Sequence, residues 1–163
     1  MDPVTTHVTI GRSPHEVFDY LADVANHPEF LDHFMKEPRL TRVDSYGTGA
    51  GIRFRVDKRF RRFAWGDYTL IGVEPNHRII AVGRSGKYNR VKTYYEWRLS
   101  PAGDGTRVEL TAESEPAMPS DRLFDPLGGR GWFKRRAGKG LKRLRNILED
   151  GQDRGRRATV GGL

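Results

Sequence analysis

The chain has 163 residues, of which 36% are hydrophobic and 31% are charged, and its net charge is +8. This length and composition predict one water-soluble domain with a core large enough to fold without disulfides. The absence of cysteine excludes a disulfide framework, a thiolate zinc site and a cysteine nucleophile. No apolar run approaches the roughly 20 residues of a membrane-spanning helix, and the first residues lack a signal-peptide pattern, so we expect a cytoplasmic protein.

The first elements carry the clearest local signals. Residues 4–10 alternate between apolar and polar side chains, which is typical of a half-buried strand. Ser13, Pro14 and Glu16 match an N-cap, a proline in the first helical turn and the partner of a capping box. Asn26 is predicted to cap a second, shorter helix.

Six further segments have the pattern of strands, and the short turns between them favour an antiparallel meander. Their predicted ranges are 39–46, 52–59, 63–74, 78–84, 89–99 and 106–115. In the sixth strand of the chain, the two-residue period places Thr93, Tyr95 and Trp97 on one face.

A last helix is predicted over residues 128–149. Its apolar residues, including Leu141, recur at spacings of three and four, which gives one stripe that faces the sheet. Gly138 and Gly140 are unfavourable inside a helix, by about 1 kcal/mol each relative to alanine. Their presence indicates a bend or a close approach of another element.

The positive charge of the chain is concentrated in this helix. Residues 130–145 include eight basic residues and no acidic one. Such a face is usually solvated, and it can also attract nucleic acid, an anionic membrane or an acidic protein. Residues 151–163 follow without any apolar period, and we expect them to form a disordered tail.

Several motifs together resemble the START/Bet v 1-like (SRPBCC) superfamily, and in particular its bacterial polyketide cyclase/dehydrase branch. They are Ser-Pro-x-Glu-Val-Phe-x-Tyr-Leu-Ala-Asp at 13–23, Asn-His-Pro-Glu-Phe at 26–30, Gly-x-Gly-Ile-Arg-Phe at 49–54, Val-Glu-Pro-Asn-His-Arg-Ile at 73–79, Tyr-Glu-Trp-Arg-Leu at 95–99 and Gly-Thr-Arg-Val at 105–108. The resemblance covers about residues 4–150.

This resemblance implies an α+β helix-grip fold within one domain over residues 1–150. A seven-stranded antiparallel sheet would wrap around a long C-terminal helix, with two short helices after the first strand. Members of the superfamily bind hydrophobic or amphipathic small molecules between sheet and helix, and a minority catalyse cyclisation, dehydration or other reactions.

Asp67 is the candidate acid–base residue. If Trp65 and Thr69 face inward in the fourth strand, the period of two places Asp67 inward as well. Burial among aromatic side chains would raise the pKa of this carboxyl, as a general acid or base needs. The alternative is that twist or a bulge turns Asp67 outward, or that an arginine or tyrosine pairs with it in a structural role.

Nine side chains are predicted to line the ligand cavity. Aromatic and aliphatic members would pack against an apolar ligand, and hydroxyl groups would orient it. The alternative for each is ordinary core packing. The nine are Phe54, Trp65, Asp67, Thr93, Tyr95, Trp97, Ser114, Trp132 and Leu141.

Three classes of function remain open from the sequence. The first is binding or transport of a hydrophobic or amphipathic small molecule, and the second is a cyclase/dehydrase-like enzyme that uses Asp67. The third is a module that binds acidic surfaces through the basic helix. No metal site, cofactor or specific nucleic-acid partner is predicted, and surface helix polarity is the preferred explanation of His27 and His33.

Overall fold

Seven antiparallel strands form one sheet against which the long last helix packs. The structure is a computed structural model that describes residues 1–57, 64–123 and 129–161. Its strands are β1 Val4–Ile10, β2 Met35–Leu40, β3 Gly51–Val56, β4 Trp65–Glu74, β5 Arg78–Ser85, β6 Val91–Ala102 and β7 Gly105–Glu115. Its α-helices are α1 Pro14–Ala22, α2 His27–Leu31 and α3 Arg130–Asp150, and 3-10 turns lie at Val24–Asn26, Lys87–Asn89 and Pro119–Leu123.

The strand order is β1-β7-β6-β5-β4-β3-β2, and every pair is antiparallel. Strands β2 to β7 therefore form a meander, and β1 pairs with β7 at the far edge. The two short helices α1 and α2 follow β1, and α3 follows the meander. This is the helix-grip α+β fold that the sequence predicts.

The start of α1 is fixed by the predicted capping box. The Ser13 hydroxyl accepts from the Glu16 backbone N–H, and the Glu16 carboxylate accepts from the Ser13 backbone N–H. The prediction for α2 is wrong in its cap, because the Asn26 side chain makes no capping bond. Asn26 instead donates to the Tyr20 carbonyl oxygen at 3.0 Å and accepts from Arg157 at 2.6 Å.

The second strand lies earlier than residues 39–46. It spans Met35–Leu40 and pairs with β3 along the edge of the sheet. Pro38 lies where the register shifts between Lys36 and Arg39, a place where a strand tolerates the missing N–H. Parts of three other predicted segments, residues 58–63 and residue 128, lie outside the described residues.

A bulge in β4 decides which of its side chains face the core. The register with β5 shifts between Leu70 and Gly72, so the alternation before the bulge is out of phase with the alternation after it. Tyr68 and Leu70 are buried, and Val73 packs against the core on the other side of the bulge. Val73 therefore faces the core, whereas odd-numbered residues before the bulge, such as Trp65 and Thr69, face away from it.

Helix α3 packs its apolar stripe on the inner side of the sheet. Leu141 and Leu144 are buried among the core side chains. Gly140 lies where α2 crosses, because a Cβ there would come within 2.5 Å of a Leu31 methyl group and 3.4 Å of the Phe30 carbonyl oxygen. Of the two predicted reasons for this glycine, the structure supports close packing.

The C-terminal tail is ordered along the body of the protein over residues 151–161, contrary to the prediction of disorder. Backbone N–H groups of Gly155 and Ala158 donate to carbonyl oxygens of Glu29 and Ala25, both at 2.9 Å. Thr159 pairs with the β2 edge, where its carbonyl oxygen accepts from Leu40 N–H. Docking here depends on backbone hydrogen bonds and arginine ion pairs, which leave no hydrophobic period in the sequence.

Candidate functional site

A small cavity lies between the inner face of the sheet and α3. Its volume is about 20 Å³, which is room for about one water molecule. Every described side chain around it is aliphatic or aromatic, and none carries a formal charge. The lining consists of Leu31, Phe34, Met35, Phe54, Tyr68, Tyr95, Trp97, Leu110, Phe133 and Ala137.

Aromatic rings form most of the sheet side of this cavity. Tyr68 is the central ring, with its centroid 5.3 Å from Tyr95, 5.8 Å from Phe54 and 6.2 Å from Trp97. These separations and the tilted or edge-to-face angles are those of favourable aromatic pairs. The wall is therefore apolar in composition and made of rings that pack on one another.

A histidine and a tyrosine form a buried hydrogen-bonded pair at this wall. His27 is fully buried at the start of α2, and its Nε2 lies 2.8 Å from the Leu21 carbonyl oxygen. Since a carbonyl oxygen only accepts, Nε2 carries the proton and Nδ1 accepts from the Tyr68 hydroxyl. Burial lowers the pKa of His27 to about 4 and raises the pKa of Tyr68 well above its ordinary value.

This pair is the feature that the sequence interpretation missed. His27 was assigned to surface helix polarity, whereas the whole segment from Val24 to Leu31 is buried. The apolar residues on both sides of His27 were the available signal. His33 is half-buried, and its Nε2 lies 2.9 Å from the Arg136 carbonyl oxygen, so it joins the turn after α2 to α3.

Three buried polar atoms near the inner face of the sheet have no hydrogen-bond partner among the described residues. They are Trp97 Nε1, Thr93 Oγ1 and Ser85 Oγ. All three side chains are at least 97% buried. Leaving such a group unpaired costs about 1–3 kcal/mol, and a ligand that accepts or donates a hydrogen bond would recover it. Of the three residues, Trp97 lines the cavity.

Asp67 and Trp65 lie on the outer face of the sheet, and the prediction that they face inward is wrong. Both side chains are half-buried, and the residues paired with them on the adjacent strands are exposed. Asp67 Oδ1 accepts from the Arg84 backbone N–H at 3.2 Å, and the Arg53 guanidinium lies 5.4 Å from the Trp65 ring centroid. The cause is the β4 bulge described above.

Asp67 belongs instead to an open groove on that outer face. The groove has a volume of about 360 Å³ and is lined partly by charged side chains. Its described lining is Asp67, Thr69, Val82, Gly83, Arg84, Lys92, Thr93 and Tyr94.

The other predicted site residues divide into three groups. Phe54, Tyr95 and Trp97 line the inner cavity. Thr93 and Ser114 are buried opposite each other on β6 and β7, and the Met1 amino group donates to Ser114 Oγ at 2.9 Å. The remaining two, Trp132 and Leu141, belong to α3 outside the lining; Trp132 is half-buried beside Phe34 and Leu141 is buried.

Within the described ranges, no group of three histidine or acidic side chains is placed to hold a metal ion. Among the same residues, no helix has the length and apolar character to cross a membrane.

The model of one family matches residues 1–149 of this sequence; that family is described as polyketide cyclase / dehydrase and lipid transport. The chain belongs to this family. No curated protein matches it.

Solved structures share its fold at low sequence identity. The protein CV1439 from Chromobacterium violaceum superposes with a TM-score of 0.65 at 14% identity, over 91% of this chain and 97% of that one. KanY gives a TM-score of 0.69 at 17% identity, over 90% and 97% of the two chains. Ara h 8.0201 gives 0.63 at 11% identity, over 90% and 96%. This protein therefore has the Bet v 1-like (SRPBCC) fold.

Proposed function

We propose that this protein binds a neutral, mainly apolar ring compound in the cavity between the sheet and α3. The observation that carries the proposal is the lining itself, in which aromatic rings pack on one another and one ring, that of Trp97, has an N–H without a partner among the described residues. An indole N–H only donates, so the ligand would offer an acceptor such as a carbonyl or ether oxygen. A carboxylate or phosphate ligand is disfavoured because no described lining residue is cationic.

Binding requires the cavity to expand. Sites for drug-sized ligands usually measure about 300–1,000 Å³, whereas this cavity measures about 20 Å³. The side that faces the sheet is supplied by α2 and α3, through Leu31 and Phe133. Separation of these elements from the sheet, together with rotation of the aromatic rings, would open the space.

Two probes of matched shape test the proposed ligand chemistry. α-Tetralone carries a ring system and one carbonyl oxygen, and tetralin has the same rings without the oxygen. Calorimetry should show binding of both, with α-tetralone tighter by about tenfold, as expected of one buried hydrogen bond. Native mass spectrometry of freshly purified protein would show whether a neutral compound copurifies.

The matched variants are Trp97→Phe inside the cavity and Trp65→Phe on the outer face. Each keeps an aromatic ring and removes one indole N–H. Trp97→Phe should abolish the preference for α-tetralone over tetralin, and Trp65→Phe should retain it. Failure of both probes to bind the wild-type protein would contradict the proposal, as would equal preferences in the two variants.

A second candidate function, enzymatic proton transfer, is favoured by the His27–Tyr68 pair. Tyr68 lines the cavity and donates to a neutral imidazole. The Tyr68 oxygen would accept a proton from the carbon beside a ligand carbonyl while its own proton passes to His27 Nδ1, leaving an enolate and an imidazolium. Reversal of both transfers restores the pair.

Exchange of deuterium into α-tetralone in heavy water tests this second function separately. Wild-type protein should accelerate exchange at the carbon beside the carbonyl, and Tyr68→Phe should bind the ketone without accelerating it. Binding without any acceleration by the wild-type protein would leave binding alone as the function.

A further inference from the structure

The outward face of α3 carries a patch of positive charge, which we call the α3 cationic face. It consists of five exposed side chains: Lys134, Arg135, Lys139, Lys142 and Arg145. At about 100° per residue they fall within a sector of about 140°, over about 17 Å of helix. None of the five forms an ion pair with a described acidic side chain.

Several arginines on the sheet, in contrast, form ion pairs with acidic side chains. On the sheet, Arg55 pairs with Glu37, Arg78 with Glu96 and Arg107 with Glu109. These pairs lie at N–O distances of 2.6 to 3.2 Å. The contrast matters because like charges on one helix face repel one another by about 0.2–0.5 kcal/mol per pair. An anionic partner would relieve that repulsion.

The opposite side of the same helix forms part of the cavity. Phe133 and Ala137 line it, one turn apart, while Lys134 and Arg135 point to solvent. A partner that covers the α3 cationic face would therefore lie directly behind a wall of the proposed ligand site. Any displacement of α3 by that partner would change the space available to the ligand.

We propose that the α3 cationic face docks on an anionic phospholipid membrane. Basic side chains near such a surface contribute about 1 kcal/mol each. The choice of a membrane rests on the proposed function, because an apolar ring compound partitions into bilayers and α3 would meet it there. Nucleic acid is less favoured because the five positions offer no aromatic ring for base stacking and no amide for reading bases.

Sedimentation with vesicles tests this docking in the absence of any cavity ligand. Wild-type protein is mixed with vesicles of phosphatidylcholine alone or of phosphatidylcholine with phosphatidylserine. Binding to the anionic vesicles should be stronger by at least roughly tenfold at low salt and should fall steeply as salt is added. Because this salt response uses the wild-type chain, it does not depend on whether a variant folds.

Two variants with the same net charge separate the patch from the overall charge. The first replaces all five members of the α3 cationic face by Gln. The second replaces five exposed basic residues outside α3: Arg42→Gln, Arg84→Gln, Lys92→Gln, Arg122→Gln and Arg156→Gln. Both lower the net charge of +8 by five. The first should lose at least roughly tenfold in binding to anionic vesicles, and the second should retain most of it.

Three results would overturn the proposal. They are equal binding to neutral and anionic vesicles, equal losses in the two variants, and tighter binding to nucleic acid than to vesicles in the same buffer. The α-tetralone measurement is made without vesicles, so ligand binding with no docking, or docking with no ligand binding, identifies which of the two proposals fails.

Discussion

The two faces of the sheet differ in what they offer a ligand. The outer groove around Asp67 has about 360 Å³ of open space and a partly charged lining. The inner cavity has only about 20 Å³, but its lining is aromatic and includes Trp97, whose N–H has no partner among the described residues. Open volume on a surface is filled by water at little cost, whereas an apolar cavity with an unsatisfied donor gains free energy from a ligand. The smaller space is therefore the better candidate.

The comparison also separates two kinds of polar group. On the outer face, Asp67 accepts a backbone hydrogen bond while it remains partly in water. On the inner face, His27 and Tyr68 are buried away from water. Burial lowers the pKa of His27 and raises the pKa of Tyr68, so the neutral form of each is favoured. Substitution on the inner side should therefore have large effects on stability, and substitution on the outer side small ones.

The largest expected effect comes from truncating the core side of α3. Leu141→Ala should lower the free energy of unfolding by about 2–5 kcal/mol, because Leu141 is 1% exposed and its removal leaves a cavity. Its control is Ile71→Ala on the outer face, where the side chain is 52% exposed and the change should cost about 0.5 kcal/mol or less. Denaturant unfolding of both variants checks this. Similar losses in the two would show that the inner and outer faces are not energetically distinct.

The next effect is a pH dependence of stability from His27. Its pKa falls from 6.5 to about 4 on folding, so between these pH values the unfolded chain binds a proton that the folded chain does not. Stability should be greatest above pH 6.5 and should fall by about 3 kcal/mol as the pH approaches 4. Denaturant unfolding across this range measures it.

His27→Gln should remove most of that slope, and His15→Gln is the matched control because His15 is exposed. NMR titration of the wild-type imidazole gives a second measurement if His27→Gln does not fold. An ordinary titration of His27 near pH 6.5 would show that it is not buried as a neutral base.

Removal of the tail should have an intermediate effect. Residues 151–161 hold α1 and α2 through Arg157 to Asp23, Arg154 to Glu29 and the backbone bonds of the tail. Deleting residues 153–163 keeps the left-handed Gly151 at the end of α3 and should cost about 2 kcal/mol after the entropy of the free tail is included.

In a chain of this size that loss lowers the melting temperature by about 4–8 °C. Arg157→Gln should produce part of it. Arg156→Gln changes an exposed neighbour that has no hydrogen bond or ion pair to the described residues of α1 or α2, so it should not. An unchanged melting temperature after deletion would support the sequence-based expectation of a disordered tail over residues 151–163.

The smallest effect is expected at Asp67. Asp67→Asn keeps an acceptor for the Arg84 N–H and lies on the half-buried outer face, so it should change stability by about 0.5 kcal/mol or less. It should also leave α-tetralone binding and deuterium exchange unchanged. Loss of α-tetralone binding or of deuterium exchange in a folded Asp67→Asn variant would indicate that the outer groove is the ligand site.

Local chemistry explains which parts of the fold were predictable. The capping box at Ser13 and the alternation around Trp97 depend on neighbours in sequence, and both predictions are confirmed. The face of Asp67 depends on a bulge, which one strand's sequence does not reveal. Arg157 of the tail has its partners between α1 and α2, so only charge complementarity over more than 100 residues could have indicated docking.

The candidate site was predictable only in its sheet residues. Phe54, Tyr95 and Trp97 follow from strand alternation, and the cavity indeed lies on their face. His27 could not be assigned in the same way, because its burial depends on how a five-residue helix packs against Tyr68 and Trp97. Their roles as ligand contacts remain predictions.

The most direct test of an inner ligand site is an NMR titration of the isotope-labelled protein with α-tetralone. The account predicts that the largest shifts occur at Phe54, Tyr95, Trp97 and Phe133, including the indole N–H of Trp97. Signals of Asp67, Arg84 and Lys92 should move little. Shifts confined to the outer-groove residues, with the Trp97 indole signal unchanged at saturation, would contradict the account.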